Sequence, residues 1–360
     1  MERIVLDIKI PPVPDGPGDD GNGVYSFIYR GDEVRIAESY YGREDCCLKI
    51  FKNREKFQEK YEKQWWGPST KYKGSLMKEA VLIQNIYAME GLAPRVYAVI
   101  QVKIGNRRHW AHLTDDLGHW NSSNKEQNDL ITGPLKTVAK KYGIKIFNDG
   151  REHNVVDHKY VDFQGFHLEE DYEAKLKERL TGTANIGKWG PWMNYHDIPE
   201  LGIIGGRNNR KRIKDMHLDQ IDFKGKTVLD IGCAEGFFSR YAMDRGAKSV
   251  LGIDLPGVIL PTKELSYYLG YNNIDYLGHD LSSSAPIIDN FDIVFMFSMV
   301  QHIGFPSWIR GVVDELLVFE GNGKTEDVPA MSKIDNDFGF VNHIGKTDDL
   351  LIRPVIWAKP

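Results

Sequence analysis

Apolar positions change their period along the chain. Cys46-Cys47-Leu48-Lys49-Ile50-Phe51 alternates as a buried strand does, and the Gly/Pro/Asp-rich stretch 11–23 ahead of it separates short β-like runs. Leu76, Ala80, Ile83 and Tyr87 then recur at helical spacing, which predicts a helix over 75–89 stopped by Gly91 and Pro94. Two more strands are expected at 95–102 and 109–114, and a charged helix at 168–180. Beyond Phe223 strand-like and helix-like patterns alternate, with closing strands expected at 338–344 and 350–358. That alternation predicts a parallel sheet covered on both faces.

Length and charge narrow the picture. With 360 residues the chain is about two domains long. The patterns assign residues 1–175 to an α+β domain, 176–220 to a connector or cap, and 221–360 to an α/β domain. A formal net charge of −5 leaves no broad electrostatic footprint for nucleic acid, which disfavours a general DNA or RNA binder. Cys46, Cys47 and Cys233 have neither metal-ligand spacing nor a disulfide framework, and suit a reducing compartment. No apolar run approaches a membrane span and the N-terminus lacks a signal pattern, so a cytoplasmic location is expected.

Candidate chemistry concentrates at Thr227-Val228-Leu229-Asp230-Ile231-Gly232-Cys233-Ala234-Glu235-Gly236-Phe237-Phe238, an apolar strand running into a glycine turn and a helix. Gly232 and Gly236 let a ligand approach the backbone, and the helix start offers amide donors to a negative group. Val250-Leu251-Gly252-Ile253-Asp254 is a second buried strand, ending in an acid placed to hold ribose hydroxyls. Gly232-Cys233-Ala234 lacks the second glycine that admits a pyrophosphate, which favours S-adenosylmethionine over a dinucleotide. Asp280 follows the third strand, where its carboxylate can accept from an adenine amino group, and a fourth strand is expected at 291–297. His302, in Ser298-Met299-Val300-Gln301-His302-Ile303-Gly304, falls at the carboxyl edge of the sheet, either as a base for a hydroxyl or as a structural cap. Arg207, Arg210, Lys211, Arg212 and Lys214 form a basic run that is either an anion clamp or a solvated helix face. Trp189, Trp192 and Tyr195 are placed either to roof the pocket or to dock the connector.

Residues 226–302 closely resemble class I S-adenosylmethionine-dependent methyltransferases. Trp192-Met193-Asn194-Tyr195-His196-Asp197, Gly236-Phe237-Phe238-Ser239 and Arg245-Gly246-Ala247 resemble the group that contains tRNA wobble-uridine modifying enzymes. The resemblance implies a doubly wound Rossmann-like sheet with Asp230, Gly232, Gly236, Asp254 and Asp280 binding the cofactor.

The first 170 residues resemble a protein-kinase-like fold. The resemblance rests on Lys49, Glu79, the hinge-like Thr114-Asp115-Asp116-Leu117-Gly118, Asp149 with Asn154 five residues on, and Val161-Asp162-Phe163-Gln164-Gly165. It implies that Lys49 holds ATP phosphates, Glu79 orients Lys49, Asn154 and Asp162 bind magnesium, and Asp149 is the base. Phe147-Asn148 stand where His-Arg is usual, and little chain follows Gly165 for a peptide-docking lobe, so a protein substrate is not expected. The bland alternative is a small α+β domain in which Lys49 and Glu79 form a surface pair. The two halves together are similar to the bifunctional kinase-methyltransferases of O-antigen chain termination, in reverse order. Three functions are expected to compete: O-methylation of a glycan or small polar acceptor, which is favoured; methylation of tRNA or other RNA; and non-catalytic sensing of nucleotide and S-adenosylmethionine.

Overall fold

The chain divides into two units, Met1–Lys175 and Leu176–Pro360. The structure is a computed structural model that describes residues 5–8, 13–14, 26–35, 45–51, 76–117, 125–146, 155–156, 158–160, 163, 166–183, 194–348 and 351–360. In the first unit, β1 (Val5–Ile8), β2 (Val13–Pro14), β3 (Ser26–Tyr29) and β4 (Cys46–Phe51) join β5 (Val96–Ile104) and β6 (Arg107–Asp115) in one sheet. Its order is β1-β5-β6-β4-β3-β2, antiparallel except for the β1/β5 pair. The alternation of 46–51 decides which face is core: Leu48 and Ile50 are fully buried, and Lys49 is half-buried between them.

α1 (Leu76–Met89) separates β4 from β5 and carries two buried amides that the backbone satisfies. Gln84 donates to the Pro94 carbonyl at 2.8 Å, and Asn85 exchanges bonds with Val96 at 2.7 and 2.9 Å, which ties the helix to the start of β5. α2 (Lys125–Tyr142) is a helix that the sequence reading does not include, and it carries Pro134 inside it. Its Ile131, Leu135, Val138, Ala139 and Tyr142 are nevertheless one buried stripe, and Tyr87 of α1 donates to the Leu135 carbonyl at 3.0 Å. β7 (Ile144–Ile146) follows, then the β8 (Val155–Val156) and β9 (Lys159–Tyr160) pair. The helix expected at 168–180 starts later, as α3 (Tyr172–Thr183), because β10 (Phe166–Leu168) instead pairs antiparallel with β7.

In the second unit a loop over 194–206 leads to α4 (Asn209–Asp215), whose N-cap Asn208 accepts from the Lys211 amide at 3.0 Å. β11 (Thr227–Ile231), α5 (Phe237–Asp244), β12 (Ser249–Asp254), α6 (Pro256–Tyr268) and β13 (Ile274–Gly278) follow. Then come β14 (Phe291–Phe297), α7 (Val300–Ile303), α8 (Ile309–Val312) and β15 (Val313–Glu320). α9 (Asp327–Asp337), β16 (Phe340–Thr347) and β17 (Arg353–Lys359) close the chain. The sheet order is β13-β12-β11-β14-β15-β17-β16, parallel through β15, with β17 antiparallel to both its neighbours.

Each parallel strand divides its side chains between two cores. Val228, Ile293, Phe295 and Phe297 pack on one face, and Leu229, Ile231, Val294 and Met296 on the other, which is why these strands read as continuous apolar runs. β16 begins at Phe340 rather than 338 because Phe338 is the buried C-cap of α9. The strand order reverses between β11 and β14, so their carboxyl ends bound the crevice of a doubly wound sheet. No helix among the described residues is long and apolar enough to cross a membrane.

Candidate functional site

β11 delivers the chain into a turn with three left-handed residues, Gly232 (φ +73°), Ala234 (φ +47°) and Gly236 (φ +71°). A Cβ on Gly232 would collide with Met299 Sδ, so the bare backbone there runs directly beneath the segment that follows β14. Ala234 adopts the same region with a side chain, and Asp254 braces it: Oδ2 accepts from the Ala234 amide at 2.9 Å and Oδ1 from the Leu255 amide at 2.7 Å. Each oxygen retains acceptor capacity, and the carboxylate is half-buried at the end of β12 beside the turn. Burial pushes the Asp254 pKa up against the pull of those two amides.

The other expected site residues take different environments. Asp230 is buried beneath the turn, where its Oδ2 accepts from Ser239 Oγ at 2.6 Å. Burial pushes its pKa up to about 6, with the Ser239 bond opposing and the Asp254 charge adding to the rise. Asp280 is exposed, and its Oδ1 caps a turn by accepting from the Ser282 amide at 3.0 Å and Ser282 Oγ at 2.6 Å, bonds that hold its pKa down. His302, exposed on α7, has Nε2 3.0 Å from Gln301 Nε2. Lys324 Nζ donates to Gln301 Oε1 at 2.7 Å, which orients that amide so that its NH2 faces the imidazole and makes His302 Nε2 the acceptor. Desolvation and then the Lys324 charge lower the His302 pKa.

Two acids that sequence reasoning passes over organise the region. Glu235, inside the turn, is buried and accepts from the Tyr195 amide at 2.8 Å, the His196 amide at 3.2 Å and Asn194 Nδ2 at 3.4 Å. Glu320, the last residue of β15, is fully buried and accepts from Arg212 Nε at 3.1 Å, Arg212 Nη2 at 2.6 Å, Arg207 Nη2 at 3.3 Å, Ser298 Oγ at 2.7 Å and Thr347 Oγ1 at 2.7 Å. Burial by itself would raise the Glu320 pKa, but Arg212 and Arg207 with Ser298 hold it at about 2. The basic run is therefore divided: Arg207 and Arg212 are buried on Glu320, Arg210 and Lys214 are exposed, and Lys211 pairs with Asp215 and Asp348. The signal in the sequence is an acid ending the apolar run Leu316-Leu317-Val318-Phe319, which requires a buried cation partner. Tyr195 touches this cluster as well, since its hydroxyl accepts from Arg207 Nη1. Trp189 and Trp192 lie outside the described residues.

In the first unit Lys49 pairs across the sheet with His112, which is held at about 3 by burial and then by the Lys49 charge. Glu79 is buried rather than at the surface. Its Oε1 accepts from the Leu168 amide at 2.9 Å and lies 3.8 Å from His167 Nδ1, and among the described residues no ion pair joins it to Lys49. Asp149, Asn154 and Asp162 lie outside the described residues, and among those described no cluster of His, Cys, Asp and Glu is arranged to hold a metal ion.

Residues 228–316 match the family described as methyltransferase domain. A ubiquinone biosynthesis O-methyltransferase of Neisseria meningitidis serogroup C is 33% identical over 128 residues, 34% of this chain and 48% of that protein. A tRNA U34 carboxymethyltransferase of Pseudomonas fluorescens is 30% identical over 121 residues, 30% of this chain and 38% of that protein. The chain thus spans less than half the length of both relatives. A solved structure, that of WbdD, aligns with 51% of this chain and 46% of its own at 20% identity and a TM-score of 0.40. Residues 228–316 are thus similar to methyltransferase domains, and the relatives they match include an O-methyltransferase and a carboxymethyltransferase.

Proposed function

We propose that the second unit holds S-adenosylmethionine across the ends of β11 and β12 and methylates an oxygen of a glycan or other small polar acceptor. The observation that carries this reading is Asp254, a half-buried carboxylate with acceptor capacity to spare, fixed beside a turn that has no side chain at Gly232. That pair of acceptor oxygens fits a ribose diol, whose hydroxyls donate, and Ala234 in place of a glycine disfavours a pyrophosphate. The bound cofactor supplies a methyl group on a sulfonium. The chain's own part is to grip the ribose at Asp254, to leave the backbone open at Gly232 and Gly236, and to seat the acceptor in the crevice between β11 and β14. Asp230 acts from beneath by bracing the turn, and Asp280 stands at the adenine end. His302 takes the hydroxyl proton once the Gln301 amide releases Nε2.

The name of the O-methyltransferase relative supports an oxygen acceptor, and the burial of Arg207 and Arg212 leaves a poor track for a phosphate backbone. An RNA acceptor is the second reading, favoured by the tRNA-modifying relative. For the first unit the corresponding proposal is ATP held by Lys49, with magnesium on Asn154 and Asp162 and Asp149 as base, while Glu79 holds the Leu168 amide instead of orienting Lys49. Isothermal titration of the full chain with S-adenosylmethionine, NAD and magnesium ATP tests both sites. S-adenosylmethionine binding is expected to be lost in Asp254→Ala, and ATP binding in Lys49→Ala. Tight NAD binding by the unaltered chain overturns the cofactor assignment, and absence of S-adenosylhomocysteine formation in a cell extract rejects an enzyme in favour of a sensor.

A further inference from the structure

The loop 194–206 is closed on itself before it meets the sheet. Gly206 donates to the Asn194 carbonyl at 2.9 Å, Ile198 and Ile203 exchange two bonds of 3.0 Å, and the Gly205 amide donates to Asp197 Oδ1 at 2.7 Å. The crossing is so close that a Cβ on Gly205 would collide with the His196 backbone. One end of this closed loop is fastened to the turn after β11, through the Tyr195 and His196 amides on Glu235. The other contact is the Tyr195 hydroxyl on Arg207, which also donates to Ser298 at the end of β14 and to Glu320 at the end of β15. Tyr195 therefore lies across the crevice at the strand-order reversal, anchored on both banks. The His196 ring packs against Phe237 and Phe238 with its Nδ1 2.8 Å from Asn209 Oδ1, so the loop has a fixed orientation as well as a fixed position.

A buried carboxylate is costly unless its partners repay it, and Glu235 spends its hydrogen bonds on the loop rather than on its own helix. We propose that Glu235 is a positioning residue that clasps the loop 194–206 to the glycine turn, so that Tyr195 forms a fixed wall of the cofactor and acceptor crevice. The inference rests on the S-adenosylmethionine reading above. It makes the geometry of the turn and of the loop a single unit: loosening either loosens ligand binding.

The test uses the full chain and two variants that attack the clasp from opposite sides. Glu235→Gln keeps the side-chain shape but turns one acceptor into a donor facing a backbone N–H, and Gly205→Ala leaves Glu235 intact while displacing the loop. Amide hydrogen exchange and titration with S-adenosylhomocysteine are measured on both. Expected are faster exchange across 194–206, unchanged protection of 227–231, and S-adenosylhomocysteine affinity weakened roughly tenfold or more, the loss that follows removal of hydrogen bonds to a charged group. Unchanged exchange in 194–206, or a loosened loop with undiminished affinity, overturns the proposal. If one variant fails to fold, the other decides by the same two readouts. Failure of the unaltered chain to bind S-adenosylhomocysteine sinks the cofactor reading instead, an outcome separate from either of these.

Discussion

Asp230 and Glu320 are both buried carboxylates, and their surroundings move them in opposite directions. Glu320 is depressed from 4.5 to about 2 by its two arginines, so its contribution is fully present above the unfolded value and is lost as pH falls from 4.5 through about 2. A shift of that size corresponds to roughly 3 kcal/mol. Asp230 is raised from 3.8 to about 6, so ionising it costs stability as pH rises through that window, again by roughly 3 kcal/mol. Asp230→Asn is thus expected to gain stability over the unaltered protein as pH rises from about 4 to about 7 and to show no gain near pH 3, read from urea midpoints at each pH. Glu320→Gln leaves Arg207 and Arg212 buried without their counter-charge, and about 3 to 5 kcal/mol is expected to be lost at neutral pH in the same assay.

At the scale of elements, the turn between β11 and α5 joins sequence to site. Gly232→Ala puts a side chain into the left-handed region, at about 1 to 2 kcal/mol, and against Met299, which begins the segment leading to His302. S-adenosylmethionine affinity is expected to fall about tenfold or more with the far-UV circular dichroism unchanged, because Met299 moves while the strands do not. Undiminished affinity would show that the turn backbone is not approached by the ligand. Within the second unit another buried acid, Glu264 of α6, accepts from Arg179 through both carboxylate oxygens, at 2.8 Å from Nε and 2.5 Å from Nη2. Strand limits were legible where turn residues bracket an apolar run, as at 46–51, 227–231 and 291–297. They were not legible at 166–168, where only pairing with Ile144 and Ile146 makes a strand of a charged flank, nor through α2, where a buried stripe overrides a proline.

At the scale of the whole molecule, a net charge of −5 and a basic run that loses Arg207 and Arg212 to Glu320 predict how binding responds to salt. With a small polar acceptor, methyl transfer is expected to change less than about tenfold between roughly 50 and 200 mM salt. An RNA acceptor held by several phosphates would lose on the order of a thousandfold over that range. Initial rates measured across a salt series decide between the two readings.

The α/β alternation, the glycine turn and the acid ending β12 follow from local rules of backbone conformation and burial, so the amino-acid order alone determined the strand-and-turn frame of the second unit. The partners of Glu235, Glu320 and Glu79 did not follow. Glu235, Glu320 and Glu79 lie 39 to 113 residues away along the chain from Tyr195, His196, Arg207, Arg212 and Leu168, and Glu320 lies 22 and 27 residues from Ser298 and Thr347. No periodicity records such a pairing: a buried charge demands some partner, and only the tertiary arrangement of strand ends decides which one arrives.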